Sequence, residues 1–232
     1  MIHELAFGVY PYIAIAVFLV GSWARFDYAM YTWRSGSSQL LSDRGMRVGS
    51  NLFHIGILAI FAGHFVGLLT PHAVYEVLIT TAQKQMLAMV VGGIAGALCF
   101  AGILILLWRR LFNRRVRATG SFADVLVLVL LFAQLTLGLV SIRISAGHPD
   151  GAVMVMLADW AQHIATFRTD AASIILGAHW IYKTHILLGL TLFLLTPFTR
   201  LVHIWSIPLS YLWRPYQVVR RRQPTLHYGR HS

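Results

Sequence analysis

The sequence predicts an all-α integral membrane protein of five transmembrane helices, with its N-terminus outside and its C-terminus cytoplasmic. Three observations carry that prediction. Of 232 residues, 57% are hydrophobic and only 12% charged, and the mean hydropathy is +0.67, a balance that belongs to membrane proteins. Five runs reach the roughly 20 mostly apolar residues that a spanning helix needs. The basic residues alternate between dense and sparse connections along the chain.

The first run, about 5–23, begins in MIHELAFGVYPY with no positive charge ahead of it and no small-residue cleavage site behind it. It therefore reads as a retained helix, not a removed signal. The others fall at about 51–69, 86–107, 122–142 and 174–198, the last extending to about 205. Together they make a transmembrane domain over 1–205, followed by a basic cytoplasmic tail over 206–232 that carries Pro208, Pro215 and Pro224.

Charge orients these helices. The segments between helices 1 and 2, between 3 and 4, and after 5 hold fifteen of the 19 Lys and Arg residues, Arg109, Arg110 and Arg200 among them. The other side holds Lys84, Arg143, Arg168 and Lys183. The positive-inside rule then places the N-terminus outside. The net charge of +11 is thus a topology signal, and without a basic helix or an aromatic-basic module it argues for no nucleic-acid partner. In the outer connection, 143–173, Val153, Met156, Leu157, Trp160, Ile164 and Phe167 recur at helical spacing, predicting a short amphipathic helix on the outer membrane face. Residues 24–50 are polar and are expected along the inner surface.

One cysteine, Cys99, excludes a disulfide, a thiolate zinc site and an iron–sulfur cluster within this chain, and the absence of CxxCH excludes covalent haem. Any iron–sulfur carrier must sit in another subunit. Of the eleven histidines, His3, His72, His148, His163 and His179 fall at or beyond the outer boundary, and His227 and His231 in the tail. These read as solvated or interfacial. His54, His64, His185 and His203 remain, on two helices, with no carboxylate at mid-membrane. Ionisable residues there mark a site or a pathway.

Helix direction pairs them by depth: His64 with His185 outside, His54 with His203 inside. Each pair is able to clamp a flat macrocycle, giving six-coordinate iron that carries electrons. The spacing fits incompletely, because ten residues on one helix span roughly 15 Å and eighteen on the other roughly 27 Å. Pro197 is expected to kink the last helix at the carbonyl of Phe193. Gly56, Gly63 and Gly67 share a face nearly opposite His54, and with Gly92 and Gly96 they are read as close helix packing. Gly189, one turn after His185, is read as room for a ring. Arg109, Arg110 and Arg200 are candidates for the propionates of an inner haem, or plain topology-setting charge.

The stretches VYPYIAIAVFLVGSWARFDY, SNLFHIGILAIFAGHFVGLLTPH, RLFNRRVRAT, KTHILLGLTLFLLTPFTRLVHIWSIPLSYLWR and PYQ resemble the gamma subunit of the membrane-bound respiratory nitrate reductase, a b-type cytochrome. The resemblance implies a dihaem fold, with two non-covalent haem b groups held by His54 and His203 at the inner site and by His64 and His185 at the outer. It implies a quinol site at the outer haem, formed by Lys84, Gly63 and His64. Lys84 also has a physical case, as the one basic residue between helices 2 and 3, against the alternative of a lysine snorkelling at the interface. The expected function is quinol oxidation near the outer face, with protons released outside. Electrons then pass through both haems to an iron–sulfur beta subunit and a molybdenum-containing alpha subunit that reduces nitrate. The expected setting is a bacterial or archaeal cytoplasmic (inner) membrane, spanned several times.

Other readings are an anchor for a different molybdenum or sulfur respiratory enzyme, a metal or proton transporter, and a purely structural anchor. A transporter would call for carboxylates or i,i+4 ligand pairs, which these four histidines lack.

Overall fold

A computed structural model describes residues 1–29, 45–118 and 120–206. Five of its helices are long and apolar enough to cross a membrane: α1 (Ile2–Ala29), α2 (Met46–Leu69), α3 (Thr81–Phe112), α4 (Phe122–Ser145), and the last span, Trp180–Phe198. A further helix, α5 (Ala152–Ala165), lies between α4 and the last span. The regular part of that span is α6 (Trp180–Leu195). Most of the inner connection and the tail expected over 206–232 lie outside the described residues.

The helices run past the expected bounds because their caps lie further out. Thr80 and Gln83 form a reciprocal capping box that starts α3 at Thr81, five residues before the apolar run begins. Ser121 and Asp124 form the same kind of box for α4, which starts at Phe122, where the apolar run begins. The last span instead starts late. Ala171–Ile174 is a separate turn, and His179, in an extended conformation, caps α6 by accepting from the Ile181 amide. An apolar sequence cannot show that break.

Helices α2 and α3 make the tightest contact. A Cβ on Gly56 would stand 2.6 Å from the Ala95 carbonyl and the Cys99 amide, and one on Gly102 would stand 2.4 Å from the Phe53 amide. Backbone meets backbone there, which only glycine permits. Gly96 likewise admits Leu139 of α4. Gly63, Gly67 and Gly92 depart from the expected packing role, since nothing lies within 4 Å of a Cβ at any of them. The two helices have separated by that level. Around the contact, Cys99, Ile103 and Leu135 are buried together, with Phe53, Ile57 and Phe132 packed on them.

Both proline sites reorganise a helix. Pro11 has no N–H for the Phe7 carbonyl, the first helix takes a π-turn over Leu5–Val9, and the Trp160 indole donates to that carbonyl at 3.0 Å. This bond seats α5 on the N-terminal helix, with Trp160, Ile164, Phe7, Ala172 and Ile175 in one buried cluster. The short helix expected in this connection is thus α5, and its apolar face is turned onto the protein; Phe167, at positive φ beyond its end, is exposed.

At Pro197 the α-helix ends. The Thr196 amide takes the Phe193 carbonyl, Thr196–Phe198 is a 3₁₀ turn, and Thr199 is extended. Arg200–Ser206 is a second 3₁₀ segment, and it carries His203. His185 and His203 are thus on different pieces of chain, so the expected span of roughly 27 Å along one helix does not apply.

Trp160→Phe keeps the ring and removes the donor, leaving the Phe7 carbonyl buried beside Pro11. The expected loss is about 1–3 kcal/mol, read as a lowered thermal midpoint in detergent.

Candidate functional site

Two histidine pairs lie at opposite ends of the bundle. His54 of α2 faces His203 with ring centroids 6.2 Å apart and planes at 69°. His64 faces His185 of α6 at the same 6.2 Å, with planes at 33°. Breaking the chain after Pro197 is what brings His203 back to the level of His54.

Each ring is held in the same way. Nδ1 of His54 lies 2.7 Å from the Ser50 carbonyl, His64 Nδ1 2.9 Å from that of Ile60, His185 Nδ1 3.1 Å from that of Gln134, and His203 Nδ1 2.6 Å from that of Arg200. A carbonyl oxygen only accepts, so Nδ1 carries the proton and Nε2 presents a lone pair. That is the tautomer of a metal-ligating imidazole whose other nitrogen is fixed from behind. The ring spacing suits the same use. Two metal–imidazole bonds of about 2 Å, with about 1 Å more from each nitrogen to its ring centre, sum to about 6 Å. Among the described residues no cluster of three or more His, Cys, Asp or Glu would make a metal site of another kind.

The His64/His185 site has neighbours that the sequence did not reveal. Gly138 of α4 lets His185 approach to 3.1 Å of where its Cβ would be, and the Gln134 side-chain amide lies 3.3 Å from His185 Nε2. Gly189 faces this same Gln134 amide, at 3.0 Å from a Cβ, so its expected role as open room for a ring is corrected. Tyr182 is tied to Ser145 and the Ser141 carbonyl, locking α6 to α4.

Lys84 lies at the start of α3 and is 7% exposed. Its ammonium sits 3.7 Å above the Tyr75 ring and has no hydrogen-bond partner among the described residues. Tyr75 is itself held by Thr81. The antiparallel register of Gly56 against Ala95 and Cys99 carries Lys84 to the level of residues 67–71, one to two turns beyond His64. Gly63 and Gly67, with open space beside them, lie on the α2 face turned toward α3. Gly63 and His64 are neighbours on α2, and Lys84 stands one to two turns beyond them along α3.

At the other end, Arg110 is ion-paired with Asp124, and Arg200 Nε lies 3.6 Å from the same carboxylate. Arg109 donates to Met46 Sδ at 3.0 Å. The peripheral histidines are not simply solvated. His3 bonds the Ala172 carbonyl, His72 pairs with Glu76, and His163 pairs with Asp170, which holds that carboxyl below its ordinary range.

A family model described as nitrate reductase gamma subunit matches residues 3–222. The chain belongs to that family. It is 55% identical over 216 residues to the respiratory nitrate reductase 1 gamma chain of Escherichia coli K12, covering 93% of this chain and 96% of that one. The respiratory nitrate reductase 2 gamma chain of the same organism is 52% identical over 217 residues, 94% and 96% of the two chains. The nitrate reductase gamma chain of Bacillus subtilis 168 is 36% identical over 223 residues, 96% and 100%. With its five apolar helices, this gamma subunit is a multi-pass membrane protein.

Gly138→Ala would press a methyl group on the His185 ring. We expect about 1–3 kcal/mol of destabilisation in thermal unfolding, most of it relieved when His185→Ala is combined with it.

Proposed function

We propose that this gamma subunit is the quinol-oxidising cytochrome b of a respiratory nitrate reductase. The observation that carries the reading is the repeated geometry: two facing imidazole pairs, each ring with Nδ1 on a carbonyl and Nε2 left as the lone-pair nitrogen, that of His185 facing the Gln134 amide at 3.3 Å. His54 and His203 would hold one haem b, and His64 and His185 the other. Two imidazoles on one iron would leave it no open position for oxygen and would suit it to electron transfer. When bound, the haems supply one-electron carriers between a quinol and an iron–sulfur partner.

The chain's own residues define where the quinol enters. A buried ammonium that rests on an aromatic face and lacks an acceptor is costly unless a ligand supplies one. The region where α2 and α3 part, bordered by Gly63, Gly67 and Lys84, gives a flat ring access to the neighbourhood of His64. Lys84 Nζ donates to a quinol oxygen and stabilises the negative charge that develops there as the hydroxyl proton leaves. Tyr75 covers the ammonium and excludes water from it.

The distribution of basic residues supports a reading with this end outside and the Arg110, Arg114, Arg115 and Arg117 end in the cytoplasm. One quinol then yields one quinone, two protons outside and two electrons that leave through the cytoplasmic face. The basic surface suits docking of an iron–sulfur subunit, with a molybdenum subunit beyond it reducing nitrate. Each charge carried across the membrane stores about 2.3 kcal/mol per 100 mV. The names of the relatives favour this reading over an anchor for another molybdenum or sulfur enzyme.

Lys84→Ala is expected to lower quinol oxidation by about 10-fold or more, the scale of one lost charge-assisted hydrogen bond, while both b-type absorbance components persist. Unchanged oxidation in membranes containing the full complex would remove Lys84 from the site.

A further inference from the structure

The chain beyond Pro197 has left the α-helix, yet His203 must be placed as closely as a residue on one. Side chains from other helices hold the chain that leads into its 3₁₀ segment. Arg25 of α1 donates to the Pro197 carbonyl at 2.7 Å and to that of Thr199 at 2.9 Å. Asp124, in the first turn of α4, holds Arg110 of α3 on Oδ2 and faces Arg200 Nε with Oδ1 at 3.6 Å. The Arg200 carbonyl accepts from His203 Nδ1. A Cβ on Gly120 would meet the Arg110 guanidinium at 2.6 Å, so the turn before α4 closes over this cluster. Arg110 is 8% and Asp124 22% exposed at the side chain.

One carboxylate therefore stands between two guanidinium groups, Arg110 buried and Arg200 25% exposed at the side chain. Without its charge, Arg110 and Arg200 repel each other in a low-dielectric site. Arg200 is the residue whose main chain aims the His203 ring. We propose that Asp124 is a positioning residue for the His54/His203 haem site, fixing Arg200 and, through its carbonyl, the direction of the His203 imidazole. The proposal rests on the dihaem reading above. An outer-shell contact of this kind typically changes metal affinity by about 10–100-fold. The effect is confined to one site, because His64 and His185 use the carbonyls of Ile60 and Gln134.

The test is Asp124→Asn in the full-length chain with its partner subunits. Asn removes the charge but still accepts from the Ser121 amide, so the α4 cap survives. Visible redox titration of the purified wild-type complex should resolve two b-type components, and His54→Ala identifies the inner one. In Asp124→Asn that component should lose occupancy by about 10-fold or shift its midpoint potential, the other staying at its wild-type value, and Asp124→Glu should recover part of the loss. Ser121→Ala, which removes the cap and no charge, should leave both components unchanged. Two unaltered components in Asp124→Asn, joint loss of both, or an equal effect of Ser121→Ala would each overturn the positioning role. A wild-type protein without two b-type components would overturn the dihaem reading, and this proposal with it.

Discussion

Each of the four paired histidines commits its Nδ1 proton to a main-chain carbonyl, and much of the remaining structure serves that arrangement. A backbone carbonyl in an unbroken helix is already used by the amide four residues on. His54 and His64 share such carbonyls one turn back on their own helix, while His185 crosses to α4 and takes the Gln134 carbonyl. That crossing needs Gly138, where a side chain would strike the ring. His203 takes the carbonyl of Arg200 in a 3₁₀ turn.

The two proline breaks solve the same problem from opposite directions. Proline in a helix frees a carbonyl that must find a donor in an apolar slab. At Pro11 the Trp160 indole supplies it, and the bond draws α5 onto the first helix. At Pro197 the break is larger, Arg25 bonds two carbonyls, and the chain turns so that His203 meets His54. Polar repair at a broken helix thus becomes the means of setting the height of His203. The backbone contact of α2 and α3 at Gly56 and Gly102, loosening toward Gly63, has a parallel consequence. It holds the bundle closed at one level and opens it near Lys84.

The spans were legible because roughly 20 apolar residues leave few alternatives to a crossing helix. That the four rings meet in pairs was legible too, since helix direction fixes depth. Four features were not. The cap at Thr80 lies outside the apolar run, so the start of α3 was misplaced. The face of α5 is equally apolar whether it meets lipid or protein, and only the Phe7 carbonyl freed by Pro11 decides between them. Glycine composition alone could not separate Gly56, which packs, from Gly63 and Gly67, which border open space. Asp124 was passed over because a carboxylate at a helix start reads as a cap. Its second role depends on Arg110 and Arg200, which lie 14 residues before it and 76 after it in sequence.

The central claim is that these imidazole pairs are two haem sites in one gamma subunit. Electron paramagnetic resonance of the oxidised, purified protein, with haem counted per chain, tests it most directly. The account predicts two haem b groups per chain, both with low-spin ferric signals of bis-histidine type, one lost in His54→Ala and the other in His64→Ala. A single haem, a high-spin signal from an open axial position, or one histidine substitution removing both signals in a folded protein would contradict it.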